Sequence, residues 1–337
     1  MGEKIRWGLM GAGAILERWM QGAAQVPDME IAAVASRTQE SARRAAGRWK
    51  IPKTMTYDEM IHDPDIDVVY VPVPHTQHQE LSMKAMENGK HVLVEKPAGI
   101  SASQFQKMAE CARRHNVFLM EAVWTRFFPI MDTVLTKIKE GEIGDVRHVQ
   151  AAFSFRVPDD CTSRLVDPDR AGGGLLDVGV YPLHLARMIY GRAPESITGL
   201  CAMNTDELHL QVDEQASFVA RYDNGALATM SCGIRTQMLD TAFIYGTRGY
   251  MILPVFWKPT RVTIVTGGRT EVIEQKVPQT VPGAEDEGYQ YEIAYVNDCI
   301  RRGVKESPLL PFAETMDVLK QTDRLRRDWG IRFPQEM

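Results

Sequence analysis

Cysteine is scarce. Cys111, Cys161, Cys201, Cys232 and Cys299 are the whole supply in 337 residues, odd in number, widely spaced and in no C-x-x-C pair. Such spacing suggests neither a disulfide framework nor a structural zinc site, and it fits a reducing compartment. A basic excess is also missing. The net charge is −5 and the pI about 6.0, so a nucleic-acid partner is not expected. No apolar run approaches the ~20 residues of a membrane span, so no membrane partner is expected. "MGEKIRWGLMGAG" carries no long apolar stretch ahead of a cleavage-like site. Together these absences predict a cytoplasmic protein. No internal repeat or low-complexity tract interrupts the chain.

What remains is an ordinary globular composition, 44% hydrophobic and 25% charged, in a chain long enough for about two domains of roughly 150 residues each. Residues 1–122 alternate strand and helix signals. Strands are expected at 5–10, 30–35, 68–73, 91–94 and 117–121, with helices at 14–25, 41–49 and 102–115. Thr56 with Glu59, Thr76 with Gln79 and Ser101 with Gln104 have capping-box spacing. Short apolar strands separated by single helices imply parallel pairing with right-handed crossovers, a doubly wound α/β domain.

From 123 to 337 the texture changes. "VRHVQAAFSFR" alternates Val149, Ala151, Phe153 and Phe155 against polar or small residues, the mark of a sheet with one buried face. Asn224-Gly225 is a hairpin signal, and "FIYGTRGYMILP" and "VTIVTGGRTEVIEQ" read as two more hairpins. An α+β domain with a large, mainly antiparallel open sheet is expected, closed by helices near 289–302 and 314–328.

"GLMGAGAIL" follows the first strand and opens a helix. Gly11 permits a tight turn and Gly13 lets a pyrophosphate approach the backbone. The N–H groups of Ala14 and Ile15 at the helix start are then available to phosphates. Leu16 stands in the third glycine place, so helix–strand packing differs there from the usual pattern. An NAD enzyme usually carries Asp or Glu after the second strand. Here the chain reads Ser36-Arg37-Thr38, and a guanidinium with a hydroxyl suits a 2′-phosphate. The expected cofactor is NADP, with NAD as the alternative.

In such a sheet the ligand crevice lies at the carboxyl ends of the strands. Three ends carry groups capable of function: "VPVPHTQH", "EKP" and "EAVWTRFFP". Val73, Pro74, His75 and His78 are expected to border the nicotinamide ribose or substrate. Glu95 is a candidate for ribose hydroxyls, and Trp124 and Arg126 for the pocket wall. Lys96 ends a buried strand beside the expected nicotinamide, and Pro97 stops the strand there. Two histidines without a carboxylate or thiol cluster make no metal site. Farther on, "AGGGLLDVGVYPLHLARMIYG" spaces Asp177, Tyr181 and His184 by four and three residues, one face of a regular helix. Pro182 is best tolerated in a first turn, which would leave Asp177 in the lead-in. Phe155, His184, Trp124 and Trp257 are the candidate substrate contacts.

"EKPAG", "LMEAVWTRFFP" and "GGGLLDVGVYP" together resemble the glucose–fructose oxidoreductase/inositol dehydrogenase/MocA (Gfo/Idh/MocA) family, in particular its branch of dimeric dihydrodiol dehydrogenases and NADP-dependent xylose dehydrogenases. The likeness runs over nearly the whole chain. It implies an N-terminal Rossmann domain, a C-terminal open sheet that forms a homodimer or a dimer of dimers, and Lys96 with Tyr181 as the catalytic pair. Many relatives have histidine where this chain has Tyr181. Leu16 and His184 depart from the pattern.

The chemistry can be weighed separately. Oxidising an alcohol requires removal of the hydroxyl proton, and a free phenol with a pKa near ~10 is a poor base at neutral pH. An ammonium about 4 Å away contributes roughly 4 kcal/mol at an effective dielectric of ~20, or about three pKa units before desolvation opposes it. Lys96 is therefore sufficient in magnitude to make Tyr181 serviceable, and it can steady a developing alkoxide. Asp177 is expected to orient Lys96 or bind a neighbouring hydroxyl. The expected activity is NAD(P)-dependent transfer of hydride to or from a secondary alcohol or hemiacetal carbon of a sugar, polyol or dihydrodiol. The alternatives are a ketosugar or anhydrosugar reductase running in reverse, and a non-catalytic nucleotide-sensing protein.

Overall fold

The structure is a computed structural model that describes residues 4–158, 164–203, 212–277 and 288–336. Cys161 lies outside the described residues; Cys111, Cys201, Cys232 and Cys299 are free thiols. Backbone contacts divide the chain into two compact units. The first comprises Met1–Gly99, Ser103–Phe127 and Val277–Phe312; the second comprises Ile100–Ala102, Phe128–Lys276 and Ala313–Met337. A segment far downstream of Ala122 thus belongs with the N-terminal half.

The first unit is built on a parallel sheet of six strands: β1 Ile5–Met10, β2 Met29–Ala35, β3 Lys53–Met55, β4 Val68–Val71, β5 His91–Glu95 and β6 Leu119–Ala122. Their order is β3-β2-β1-β4-β5-β6, and every pairing is parallel. Strands buried on both faces must be apolar throughout, and all four residues of β4 are buried. Three residues of β3 are too few to show an alternation, which is why sequence reading finds five strands and not six.

Between the strands run α1 Ala14–Ala23, α2 Gln39–Trp49, α3 Tyr57–His62, α4 His78–Glu87 and α5 Ala102–His115. Thr56 and Glu59 form the expected capping box. The expected box at Thr76 and Gln79 does not start a helix. His75–Gln77 is a 3₁₀ turn, and α4 begins at His78 with no side-chain cap. The carbonyl of Pro74 takes the Gln77 N–H at 2.9 Å, which tightens the entry and delays the helix. Asp323 accepts from the Ala102 N–H at 2.9 Å, at the start of α5.

Past the second sheet the chain returns to this unit as α8 Tyr289–Arg301. It lies close against α1: a Cβ on Gly22 would stand 2.6 Å from Tyr289 Cβ. Asn297 of α8 accepts from the Trp7 indole at 3.0 Å and donates to Asp28 at 3.0 Å.

The second unit holds α6 Pro129–Lys139, α7 Val180–Tyr190, α9 Phe312–Trp329 and an eight-stranded sheet. Its strands are β7 Val146–Ser154, β8 Ser196–Met203, β9 Asp213–Arg221, β10 Leu227–Gly233, β11 Ala242–Gly246, β12 Gly249–Leu253, β13 Arg261–Thr266 and β14 Arg269–Glu274. The order is β14-β13-β12-β11-β7-β10-β9-β8; only β10 with β7 is parallel. The three expected hairpins are present as β9–β10, β11–β12 and β13–β14. One face is buried: on β9, Ala216, Phe218 and Ala220 point inward and Ser217, Val219 and Arg221 outward. The edge strand β14 carries Arg269, Thr270, Glu271 and Glu274, polar groups that discourage strand addition.

Candidate active site

In the first unit the parallel strands bring the expected cofactor residues to one edge of the sheet. Gly11 has φ +149°, and a Cβ there would lie 2.9 Å from the Pro72 carbonyl oxygen, so only glycine fits. Its N–H donates to the Ala35 carbonyl at 2.9 Å, which ties the loop to the end of β2 where Ser36 and Arg37 begin. Gly13 is different. A Cβ on it would meet nothing within 4 Å, so the fold itself does not require glycine there. The start of α1 has no side-chain cap, which leaves the N–H groups of Ala14 and Ile15 available, while that of Leu16 donates to the Gly13 carbonyl at 3.1 Å. Open space over Gly13 in front of uncapped N–H groups fits a dinucleotide pyrophosphate.

Beyond β2, Ser36 is half-buried and Arg37 exposed. Arg37 lies close to the Tyr57 phenol, where its backbone and its charge oppose the upward shift that burial gives that group. Thr38 is committed as the N-cap of α2, accepting from the Ser41 N–H.

The ends of β4 and β5 are braced together. His78 is fully buried, with Nδ1 2.8 Å from the Pro97 carbonyl and Nε2 2.9 Å from that of Val73. His75 is also buried, its ring edge-on to His78 at 5.7 Å; Val73 and Pro74 beside it are half-buried. The Glu95 carboxyl accepts from the Tyr70 hydroxyl at 2.5 Å and from the Lys96 N–H at 3.1 Å, so the residue before the lysine is held from two sides. Lys96 is half-buried at the carboxyl end of β5. Past β6, Trp124 is buried and stacked on Tyr289 at 4.3 Å, while Arg126 is half-exposed in the same short turn.

Sequence reading missed what lies beneath these ends. Glu121 is buried and accepts from the Ala98 N–H at 2.9 Å. Glu292 of α8 is fully buried, and among the described residues neither of its carboxyl oxygens has a hydrogen-bond partner. Burial, with the charges of Glu95 and Glu121 added, pushes the Glu292 carboxyl well above the carboxylate range. Only its position in an apolar helix face signals it in the sequence. Because the folded-state pKa is raised, Glu292 favours the fold at low pH and that contribution is lost as pH rises through the folded value. Glu292→Gln is therefore expected to flatten the decline of stability above pH ~5. Urea midpoints measured from pH 5 to 9 check this, and parallel curves for the two proteins would contradict it.

The second unit presents a separate constellation. Leu175–Gly179 is a π-helical turn that leads into α7. Asp177 lies in that lead-in, as Pro182 in the first turn of α7 requires. Its Oδ1 accepts from the Arg164 guanidinium at 2.9 Å. Tyr181 is half-buried, its ring edge-on to Phe153 of β7 at 5.1 Å. Phe153 in turn stacks flat on Trp257 at 4.8 Å, whose indole N–H donates to Asp240 at 3.1 Å. Phe153 was legible only as a buried strand residue, yet it links two of the expected site residues. Phe155, two places on, is half-exposed, and His184 is buried on α7. A groove of about 270 Å³ lined by Pro194, Ile197, Asp317, Lys320 and Arg324 contains none of these residues. Among the described residues no three metal-ligating side chains converge, and no helix is long and apolar enough to cross a membrane.

A glycine loop opening a helix, on a sheet of order 3-2-1-4-5-6, defines a dinucleotide-binding Rossmann unit. Residues 5–123 match the family described as "Oxidoreductase family, NAD-binding Rossmann fold", and residues 131–252 match the "GFO/IDH/MocA C-terminal domain". The chain belongs to the Gfo/Idh/MocA family and is an NAD(P)-dependent oxidoreductase acting on CH–OH groups. It is 33% identical to trans-1,2-dihydrobenzene-1,2-diol dehydrogenase of Mus musculus, over 98% of this chain and 99% of that one. The enzyme of the same name from Homo sapiens is also 33% identical, with the same coverage. Among solved structures, the 3-ketoreductase KijD10 from Actinomadura kijaniata, in complex with NADP and TDP-benzene, superposes with a TM-score of 0.85. It is 25% identical, with 96% of this chain and 98% of that one covered.

Proposed function

We propose that the protein is an NADP-preferring dehydrogenase of cyclic diols, sugars or related polyols, in which Tyr181 is the general acid/base and Lys96 its cationic partner. The observation that carries this reading is the placement of Lys96 at the carboxyl end of β5, on the same sheet edge as the glycine loop, with the Glu95 before it held by Tyr70. The full-length relatives named as dihydrodiol dehydrogenases support the substrate class.

The glycine loop, Ser36, Arg37 and the β4 and β5 ends would hold the cofactor, which when bound supplies the hydride acceptor or donor. The chain's own groups handle the proton. In oxidation the substrate hydroxyl gives its proton to the Tyr181 oxygen, and Lys96 steadies the negative charge on the substrate oxygen. An ammonium beside a phenol favours the phenolate and so supplies the base. In reduction Tyr181 returns the proton to the carbonyl oxygen. Phe153, flat on Trp257 and edge-on to Tyr181, gives the phenol a fixed apolar neighbour.

One site serves both directions, and the likeness to a 3-ketoreductase favours reduction of a ketosugar as the second reading. Assembly as a homodimer through the open sheet rests on the outward face that carries Leu200, Val219 and Leu227.

The test is reduction of NADP, at neutral and alkaline pH, against a panel of sugars, inositols and trans-dihydrodiols. Turnover of at least one cyclic diol or polyol is expected. Tight NADPH binding with no turnover in either direction would favour a nucleotide sensor instead. For the cofactor, Arg37→Ala is expected to raise KM for NADP about 10- to 100-fold, the worth of a charge-assisted hydrogen bond, and to leave KM for NAD nearly unchanged. Equal losses for both nucleotides would remove the argument for the 2′-phosphate.

A further inference from the structure

Three glycines precede the segment that carries Asp177 and Tyr181, and the fold needs them for two different reasons. A Cβ on Gly172 would stand 2.6 Å from the Leu165 carbonyl oxygen and 2.7 Å from that of Arg164. Gly172 therefore lets the chain lie against the turn Arg164–Val166, whose arginine pairs with Asp177. Gly173 and Gly174 make room for something else. At Gly173, with φ +110°, a Cβ would stand 2.3 Å from Asp213 Oδ1; at Gly174 it would stand 3.3 Å from Asp213 Oδ2.

Asp213 is the first residue of β9 and is buried. Its Oδ2 accepts from the Leu175 N–H at 2.6 Å, and the backbone N–H of Gly174 also turns toward it. Leu175 begins the π-helical turn, and neither that turn nor α7 has a side-chain cap of its own. A helical start with no cap leaves N–H donors unsatisfied, and a carboxylate is the group they favour. Asp213 supplies the carboxyl from a different strand, through a gap that two glycines hold open; burial pushes that group up to about 7, and the N–H bonds it accepts work against the shift.

We infer that Asp213 is a positioning residue for the catalytic segment: it anchors the origin of the π-helical turn and so sets where Asp177 and Tyr181 stand. From the anchor the path is short and rigid. The Asp177 N–H donates to the Gly173 carbonyl at 3.3 Å, Arg164 holds its side chain, and Tyr181 follows four residues on in the first turn of α7. Asp213 itself touches no reacting group. Around it stand Arg326 of α9 and the thiols of Cys201 and Cys232, none of which takes the place of its bond to Leu175. The inference rests on Tyr181 being the acid/base residue.

The test uses the full chain with Asp213→Asn, which keeps the shape but exchanges one acceptor oxygen for an N–H₂ group. Gly174→Ala keeps the carboxyl group and pushes it by a few tenths of an ångström. Single-turnover rates, KM for NADP and the number of NADPH molecules bound per chain are measured for both, alongside Tyr181→Phe. For Asp213→Asn the expected result is a rate lowered about 10- to 100-fold, as a misplacement of the order of 1 Å would cause. KM for NADP should stay within about two-fold, with one NADPH bound per chain, since a shift confined to the catalytic segment leaves uniform binding alone. Gly174→Ala should move the rate in the same direction by less. A rate unchanged in both variants, or a loss that tracks a fall in NADPH bound per chain, would overturn the inference and leave Asp213 as a fold residue only. If Tyr181→Phe keeps its rate, the proposed function fails first, whatever Asp213 does.

Discussion

Tyr181→Phe is expected to lower the rate of hydride transfer about 10²- to 10⁴-fold, the usual worth of a positioned acid or base, with NADPH affinity nearly unchanged. The edge-on contact with Phe153 uses the ring and not the oxygen, so removal of the hydroxyl leaves that contact in place. The glycine loop belongs to the other unit of the chain, so nucleotide binding has no reason to follow the loss. The comparison needs both numbers from the same preparation: single-turnover rate for the chemistry and NADPH fluorescence titration for the binding. A variant that turns over near the normal rate would show that another group takes the proton. A variant that loses both together would show that Tyr181 holds the fold rather than the proton.

Lys96→Met should be the second large effect, and of a different kind. Methionine keeps most of the apolar stem and removes the charge. Two consequences follow. The rate should drop by about 10²-fold or more, since a charged donor aimed at a developing alkoxide is worth about that much when removed. The pH at which the rate rises should move upward, because without the neighbouring cation the phenol ionises only in more alkaline solution. Raising the pH should therefore recover part of the Lys96→Met activity and none of the Tyr181→Phe activity. A pH–rate profile of each variant in the oxidising direction checks this. An unshifted profile for Lys96→Met would separate the lysine from the phenol's ionisation.

The sequence made some of this architecture plain and left other parts hidden, for physical reasons. The central strands β1, β4 and β5 were legible because a doubly covered parallel strand has to be a continuous apolar run. The hairpins of the second sheet were legible because Asn224-Gly225, the glycines Gly246 and Gly249 that flank Thr247-Arg248, and Gly267-Gly268 announce their turns. The three-residue β3 and the strand β8, whose apolar residues include the exposed Leu200, gave no such pattern. The candidate site divides in the same way. Gly11, Arg37, Lys96, Asp177 and Tyr181 sit at strand ends or helix starts, places where motif and chemistry coincide. Their supports do not: Glu292 reaches the first unit from more than 150 residues away in the chain, and Phe153 and Asp213 look like ordinary strand residues until the fold shows what they touch. Tertiary contacts between distant segments leave no local period to read.

The most direct measurement is a double-mutant cycle on single-turnover hydride transfer, with Tyr181→Phe, Lys96→Met and the two combined. If one amine and one phenol act as a unit on the same substrate oxygen, the losses are strongly non-additive, and the double variant is about as slow as the slower single one. If the two losses multiply, the groups act independently and the paired mechanism is contradicted.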